Sequence, residues 1–133
     1  MILLDTDVCI EILRGNPCVI ECRKRSSGLA AVSFMSVGEL FYGAERSAAP
    51  EKNRRLVQMF LLSVQIIHSD NEIMRKFAEL KSELSLNGDI LPDADILVAS
   101  TCLCNCGKLI TGNVRHYKRI KQLTIESWTG RRE

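Results

Sequence analysis

Residues 1–7 read MILLDTD, an unbroken apolar run that ends in an acid, a hydroxyl and a second acid. A run that is apolar at every position predicts a strand buried on both faces, as strands are in a parallel sheet. In open α/β sheets the carboxyl ends of the strands face the crevice where ligands bind. The pattern therefore places Asp5 at the mouth of a site, where a carboxylate at the edge of a core requires a compensating cation.

The rest of the chain alternates between short apolar runs and amphipathic segments. Further strands are predicted at residues 29–33, 64–67 and 109–111, with an edge strand at 123–125. Helices are predicted between them from caps, prolines and apolar spacing, at residues 7–13, 17–25, 36–47, 50–62, 71–86 and 93–104, with a short basic helix near Tyr117. Thr6 or Asp7 is expected to cap the first helix. This alternation predicts a three-layer α/β/α sandwich with a central parallel sheet, built as one domain over residues 1–133.

Composition sets broad limits on function. The chain has 133 residues, 26% of them charged, and a net charge of +2, so overall charge does not demand a nucleic-acid partner. Basic residues do cluster near the C-terminus, although such runs are usually solvated helix faces. The sequence shows neither a signal peptide nor an apolar stretch of about 20 residues, so a cytoplasmic location with no membrane partner is expected.

Six cysteines are present, but no pair has the CxxC spacing typical of zinc sites. Cys102 and Cys104 lie at the end of the predicted helix 93–104 and Cys106 follows directly after it, and alternate residues of a helical stretch point apart. Reduced thiols that pack as small apolar residues are the favoured interpretation, with zinc as the alternative.

Carboxylates recur at strand ends and helix starts. Asp5 ends the first strand, Glu39 is expected in the first turn of the helix after the second strand, and Asp93 and Asp95 in the first turn of an apolar helix. A parallel sheet gathers such positions along one edge. Because crowded carboxylates raise one another's pKa, they stay ionised together around a cation, and oxygen ligands suit Mg²⁺ or Mn²⁺.

Each acid also has a structural interpretation. Ser36 and Glu39 have the spacing of a capping box, Asp93 complements a helix dipole after a proline, and Asp7 is a candidate N-cap. Asp5 and Asp95 are harder to explain in this way, because both stand in apolar sequence. No basic residue near Asp95 in the sequence offers it a partner.

Four segments in this order resemble the PIN-domain ribonucleases, and in particular the VapC toxins of toxin–antitoxin pairs. They are LLDTD at residues 3–7, VGELFYGA at 37–44, DILVAS at 95–100 and LITGN at 109–113. The resemblance continues to LTIESW at residues 123–128, nearly the end of the chain.

The resemblance implies Mg²⁺- or Mn²⁺-dependent cleavage of RNA, often tRNA or rRNA, by a metal-oriented water that leaves 5′-phosphate and 3′-hydroxyl ends. Asp5, Glu39 and Asp95 match the acids that hold the metal, and Thr111 matches a hydroxyl residue at the rim, with Asp93 a neighbour. Many relatives carry one more acid after the fourth strand. Asn113 or His116 stands there in this chain, which puts a second metal site in doubt.

Further expectations concern partners. The candidates for holding the RNA backbone are Arg115, Lys118 and Arg119. The resemblance also implies a VapB-like antitoxin that covers the apolar helices and threads a segment toward the acids, and a homodimer.

Two other functions are compatible with parts of the sequence. Asp5-Thr6-Asp7 is similar to the paired acids of haloacid-dehalogenase-like phosphatases, and Asp93 and Asp95 could imitate the downstream pair of that family. That alternative leaves residues 37–44 unexplained. The second alternative is a catalytically weak PIN-like module that binds RNA or a protein partner without cutting.

Overall fold

The structure is a computed structural model that describes residues 1–129. Its five strands are β1 (Ile2–Leu4), β2 (Ala30–Ser33), β3 (Gln65–Ile67), β4 (Lys108–Ile110) and β5 (Ile125–Glu126). They form one sheet in the order β3-β2-β1-β4-β5, and every neighbouring pair is parallel. The predicted parallel sheet is confirmed, while residues 130–133 of the predicted domain lie outside the described residues.

Helices cover both faces of the sheet. They are α1 (Thr6–Leu13), α2 (Pro17–Arg25), α3 (Phe34–Glu45), α4 (Pro50–Leu61), α5 (Asn71–Leu86), α6 (Asp93–Asn105) and α7 (Val114–Tyr117). Successive side chains of a strand point to opposite faces. Leu3 accordingly packs in a core with α5, α6 and α7, whereas Ile2 and Leu4 pack in a second core with α1 to α4. This arrangement confirms the three-layer sandwich.

Two helix starts differ from the prediction. Asp5, and neither Thr6 nor Asp7, is the N-cap of α1, because its side chain accepts a hydrogen bond from the Thr6 backbone N–H. Helix α3 begins at Phe34 with Ser33 as its cap, whose side chain accepts from the Met35 N–H at 3.0 Å.

The earlier start of α3 changes the interpretation of Glu39. Ser36 lies inside the helix and is fully buried, so it does not form a capping box with Glu39. Glu39 lies in the second turn of α3, and the expected first-turn position was wrong. Glu39 is thereby freed from a capping role.

The order of the strands locates the site. The chain builds β2 and β3 on one side of β1, and later adds β4 and β5 on the other side. The carboxyl ends of β1 and β4 therefore flank the point where the winding reverses, which is where ligands bind in sheets of this kind. Asp5 follows β1 and Thr111 follows β4. Within the described part of the chain, no helix is long and apolar enough to cross a membrane.

Candidate acidic site

Asp5 is the centre of the site and is 6% exposed. Its Oδ1 accepts a hydrogen bond from the Thr6 N–H at 2.9 Å, and its Oδ2 accepts from the Thr111 hydroxyl at 2.8 Å. The Tyr117 hydroxyl lies 3.4 Å from Oδ1. Parallel pairing of β1 with β4, extended by the Asp5 N–H bond to the Ile110 carbonyl, brings Asp5 beside Thr111.

The carboxyl group of Asp5 holds a proton more tightly than an ordinary aspartic acid. Burial first, and then the negative charges of Asp7 and Asp95, raise the pKa of Asp5 from 3.8 to about 7, against the opposing effect of the Thr111 and Thr6 hydrogen bonds. Desolvation and like charges both disfavour the ionised form. Asp5 is therefore a buried carboxylate whose charge the surrounding protein does not compensate, as the sequence suggested.

Tyr117 joins Asp5 to Asp95. Its hydroxyl lies 3.4 Å from Oδ1 of each acid, so carboxylates separated by 90 positions in the sequence meet at one phenol. On its other side, Asp95 Oδ2 lies 2.8 Å from His116 Nε2. This contact becomes an ion pair when the imidazole is protonated. His116 of α7 thus lies beside Asp95, but its Nε2 makes no hydrogen bond among the described residues.

Glu39 reaches the same edge through Thr6. Its Oε1 accepts a hydrogen bond from the Thr6 hydroxyl at 2.6 Å, and Ser36 Oγ lies 2.8 Å from the same hydroxyl. Because the backbone N–H of Thr6 binds Asp5, one threonine links two of the predicted acids. Glu39 is therefore connected to Asp5 through the hydroxyl and the backbone N–H of Thr6.

Asp7 approaches the site from its other side. Its Oδ2 accepts from the Gly112 N–H at 2.9 Å, while its Oδ1 is buried without a hydrogen-bond partner among the described residues. Burial is the main cause that raises the pKa of Asp7. With Asn113 and Gly112, Asp7 lines a cavity of about 410 Å³. Asn113 is exposed, and its N–H donates to the Thr111 hydroxyl.

The remaining candidates lie farther from the pair. Asp93 is exposed and forms a surface ion pair with Lys81 at 3.0 Å. Arg119 donates to the Ile90 carbonyl at 3.2 Å, and Arg115 and Lys118 are exposed on and directly after α7. The structure thus brings Asp5, Asp95, His116 and Thr111 together, and leaves Asp93 outside.

The side chains that could bind a metal at this site can be compared with the coordination that a divalent ion requires. Within residues 1–129, no three His, Cys, Asp or Glu side chains close on a single point. Magnesium, however, usually keeps several waters and is held by only one or two carboxylates. Asp5 and Asp95 supply two, the raised pKa of Asp5 reports an uncompensated charge, and Asp7 offers an unpaired oxygen nearby. These residues fit a hydrated Mg²⁺ or Mn²⁺ ion.

Two residues of the site had not been singled out from the sequence, Thr6 as a link and Tyr117 as a bridge. A signal for Tyr117 existed, since it is an aromatic residue in an otherwise basic segment just after the fourth strand. That segment leaves the carboxyl end of β4, so an aromatic residue there is placed to turn back over the site.

Comparisons with known proteins agree with this geometry. The family model described as the PIN domain matches residues 2–122. The chain is 32% identical to ribonuclease VapC2 of Haemophilus influenzae, over 95% of this chain and 96% of that one. It is 28% identical to the tRNA(fMet)-specific endonuclease VapC of Salmonella typhimurium, over 95% and 96%.

Solved structures give the same result. The fold matches a chain in the crystal structure of VapBC2 from Rickettsia felis bound to a DNA fragment from their promoter, with a TM-score of 0.90 and 28% identity over 96% of this chain and 99% of that one. It also matches a chain in DNA-bound VapBC from Salmonella typhimurium, with a TM-score of 0.90 and 27% identity over 96% and 97%.

Proposed function

The chain belongs to the VapC group of the PIN-domain family, and on this basis we propose that it is the ribonuclease toxin of a toxin–antitoxin pair. The observation that carries the proposal is the meeting of Asp5 and Asp95 at the switch point of the sheet. Relatives named as ribonucleases cover nearly the whole chain, which supports an RNA substrate. A tRNA or rRNA is the proposed target.

The proposed cofactor is Mg²⁺ or Mn²⁺. Asp5 and Asp95 would bind it directly, and Glu39, held by Thr6, would bind through water. When bound, such an ion polarises a phosphate oxygen and supplies a nucleophilic water at neutral pH. The products of this hydrolysis would carry 5′-phosphate and 3′-hydroxyl ends.

The chain's own residues have separate tasks in this proposal. Thr111 and the Thr6 N–H hold the Asp5 carboxylate in one orientation by hydrogen bonds to its two oxygens. Arg115 and Lys118 are exposed on and directly after α7, the helix that carries His116 and Tyr117, and together with the exposed Arg119 they would attract the phosphates of the RNA. A protonated His116 would offset part of the negative charge of Asp95.

The proposed protein partner is a VapB-like antitoxin. Structural neighbours of this fold are VapBC complexes, which supports such a partner. A cavity of about 310 Å³ between α1, α3 and α4 has apolar walls from Leu13 and Leu40 and includes Glu39. A segment of the antitoxin laid in this groove would reach the acids. A homodimer and a cytoplasmic location complete the proposal.

The phosphatase alternative loses its basis. It required Asp93 to complete a pair with Asp95, and Asp93 is instead paired with Lys81 at the surface. The PIN family match also covers residues 37–44, which that alternative left unexplained. The catalytically weak RNA-binding module is kept as an outcome of the experiment below.

The experiment compares two neighbouring acids. Purified wild type, Asp95→Asn and Asp93→Asn proteins are incubated with tRNA and rRNA, with Mg²⁺ or with EDTA, and the ends of the fragments are sequenced. Asp93→Asn is the matched control, since the same change is made two positions away at the surface. We expect Mg²⁺-dependent cleavage by wild type and Asp93→Asn, with loss in Asp95→Asn.

Other outcomes contradict the proposal in distinct ways. Cleavage that persists in Asp95→Asn, or in EDTA, would remove the acidic pair from the reaction. RNA binding without cleavage by the wild type would identify a binding module. Co-expression with the product of the neighbouring upstream gene, followed by co-purification, tests the antitoxin separately.

A further inference from the structure

Tyr117 is the residue at which the two acids meet, and nothing in the proposed reaction accounts for it. Its side chain is fully buried, and its ring belongs to the core formed with α5 and α6. The hydroxyl emerges from this core between Asp5 and Asp95, 3.4 Å from Oδ1 of each. A phenylalanine would fill the same apolar space without the hydroxyl.

The phenol acts as a hydrogen-bond donor in this position. A tyrosine hydroxyl is protonated at neutral pH, since its ordinary pKa is about 10, and this one lies within hydrogen-bonding distance of two carboxylates. With one proton and two carboxylate neighbours, the hydroxyl donates to one acid at a time. It is thus a neutral donor shared between two negative groups.

A count of acceptor sites shows what this donor leaves free. A carboxylate has about four lone-pair sites. On Asp5 two are directed to fixed protein donors, the Thr6 N–H and the Thr111 hydroxyl, and a third to the Tyr117 hydroxyl while that hydroxyl donates to Asp5 and not to Asp95. The one or two sites that remain suit ligation of an ion by a single oxygen. On Asp95, Oδ1 faces Tyr117 and Oδ2 faces His116.

We propose that Tyr117 is a positioning residue, whose hydroxyl holds the carboxylates of Asp5 and Asp95 in the orientation that binds a divalent cation. The proposal rests on the metal-dependent function proposed above. Without this donor Asp95 would lose the hydrogen-bond partner of its Oδ1 and would rotate, whereas Asp5 would keep its bonds to Thr6 and Thr111. Both carboxylates would be less stable in their charged form. Donors around metal ligands typically change metal affinity by about 10- to 100-fold when they are removed.

The test uses Tyr117→Phe, which deletes the hydroxyl and keeps the ring. The matched control is Tyr42→Phe, the same deletion at the second of the two tyrosines, which is exposed on α3. The affinity of each protein for Mn²⁺ is measured by electron paramagnetic resonance, and unfolding in urea is followed without metal. We expect Tyr117→Phe to bind Mn²⁺ about tenfold or more weakly, while Tyr42→Phe binds like the wild type.

A second measurement does not depend on the folding of Tyr117→Phe. In the Tyr42→Phe protein Tyr117 is the sole tyrosine, so a ¹³C label at tyrosine Cζ reports on its hydroxyl alone. Addition of Mg²⁺ should shift this resonance, because the bound ion changes the electrostatic environment of the carboxylates that accept a hydrogen bond from the Tyr117 hydroxyl. A resonance that stays constant while Mg²⁺ binds would overturn the proposal.

The outcomes separate this proposal from the proposed function. Equal Mn²⁺ affinity in wild type and Tyr117→Phe would overturn the role of Tyr117 and leave the metal site standing. If the wild type binds neither Mn²⁺ nor Mg²⁺, the metal-dependent function fails, and the role of Tyr117 fails with it. Weaker Mn²⁺ binding confined to Tyr117→Phe would support both.

Discussion

Replacement of Asp5 by Asn should change how the stability of the metal-free protein depends on pH. In the folded chain the pKa of Asp5 is about 7, compared with 3.8 for an ordinary aspartic acid, and burial is the main cause. A group whose pKa is raised by folding stabilises the protein below its unfolded pKa, and this contribution is lost as the pH rises through the folded pKa. Asparagine does not ionise, so Asp5→Asn lacks this dependence.

The size of this difference in stability follows from the pKa shift of Asp5. One pKa unit corresponds to about 1.4 kcal/mol, so a rise from 3.8 to about 7 amounts to about 4 kcal/mol at full ionisation. With Asp5 only 6% exposed, solvent screening reduces this value little. Asparagine caps helices as well as aspartate does, so the start of α1 is kept. As the pH rises from 4 to 8, the free energy of unfolding of Asp5→Asn should therefore increase by about 4 kcal/mol relative to that of the wild type.

The assay is urea unfolding in EDTA at several pH values, followed by the fluorescence of Trp128, the sole tryptophan, which is 4% exposed. The difference between the two proteins cancels the titration of distant groups. Parallel stability profiles for wild type and Asp5→Asn would refute the reasoning, since Asp5 would then ionise as if exposed. Saturating Mg²⁺ at pH 8 should stabilise the wild type and leave Asp5→Asn unchanged.

Three further changes test the surroundings of the acids. Thr6→Val removes the hydroxyl that donates a hydrogen bond to Glu39 at 2.6 Å, and a calorimetric titration should show about 10-fold weaker Mn²⁺ binding. An unchanged Mn²⁺ affinity would exclude Glu39 from the metal site. Gly112→Ala places a Cβ 2.8 Å from Asp7 Oδ2, so the Gly112–Asp7 hydrogen bond breaks and the free energy of unfolding in urea should fall by about 1–2 kcal/mol. Wild-type stability in this variant would mean that Asp7 moves freely. Lys118→Ala should lower the salt dependence of single-stranded RNA binding by about 0.7 in slope, and an unchanged slope would place the RNA elsewhere.

Much of the fold could be predicted from local signals. Prolines at the starts of α2 and α4 and the apolar repeat of α5 located these helices within a residue or so, because caps, prolines and helical spacing act over neighbouring positions. The start of α3 was missed. Ser33 and Ser36 are both plausible caps, and only the end of β2 decides between them.

The sequence by itself determined that the chain has a buried strand ending in Asp5, a second acid at the root of an apolar helix, and the PIN pattern that joins them. Only the tertiary structure determined which side chains contact those acids. The Tyr117 hydroxyl and His116 reach Asp95 from a segment that follows another strand, and Thr6 reaches Glu39 from α1. Apolar periodicity depends on neighbouring residues, whereas a hydrogen bond depends on distances of about 3 Å that exist only after the sheet has formed.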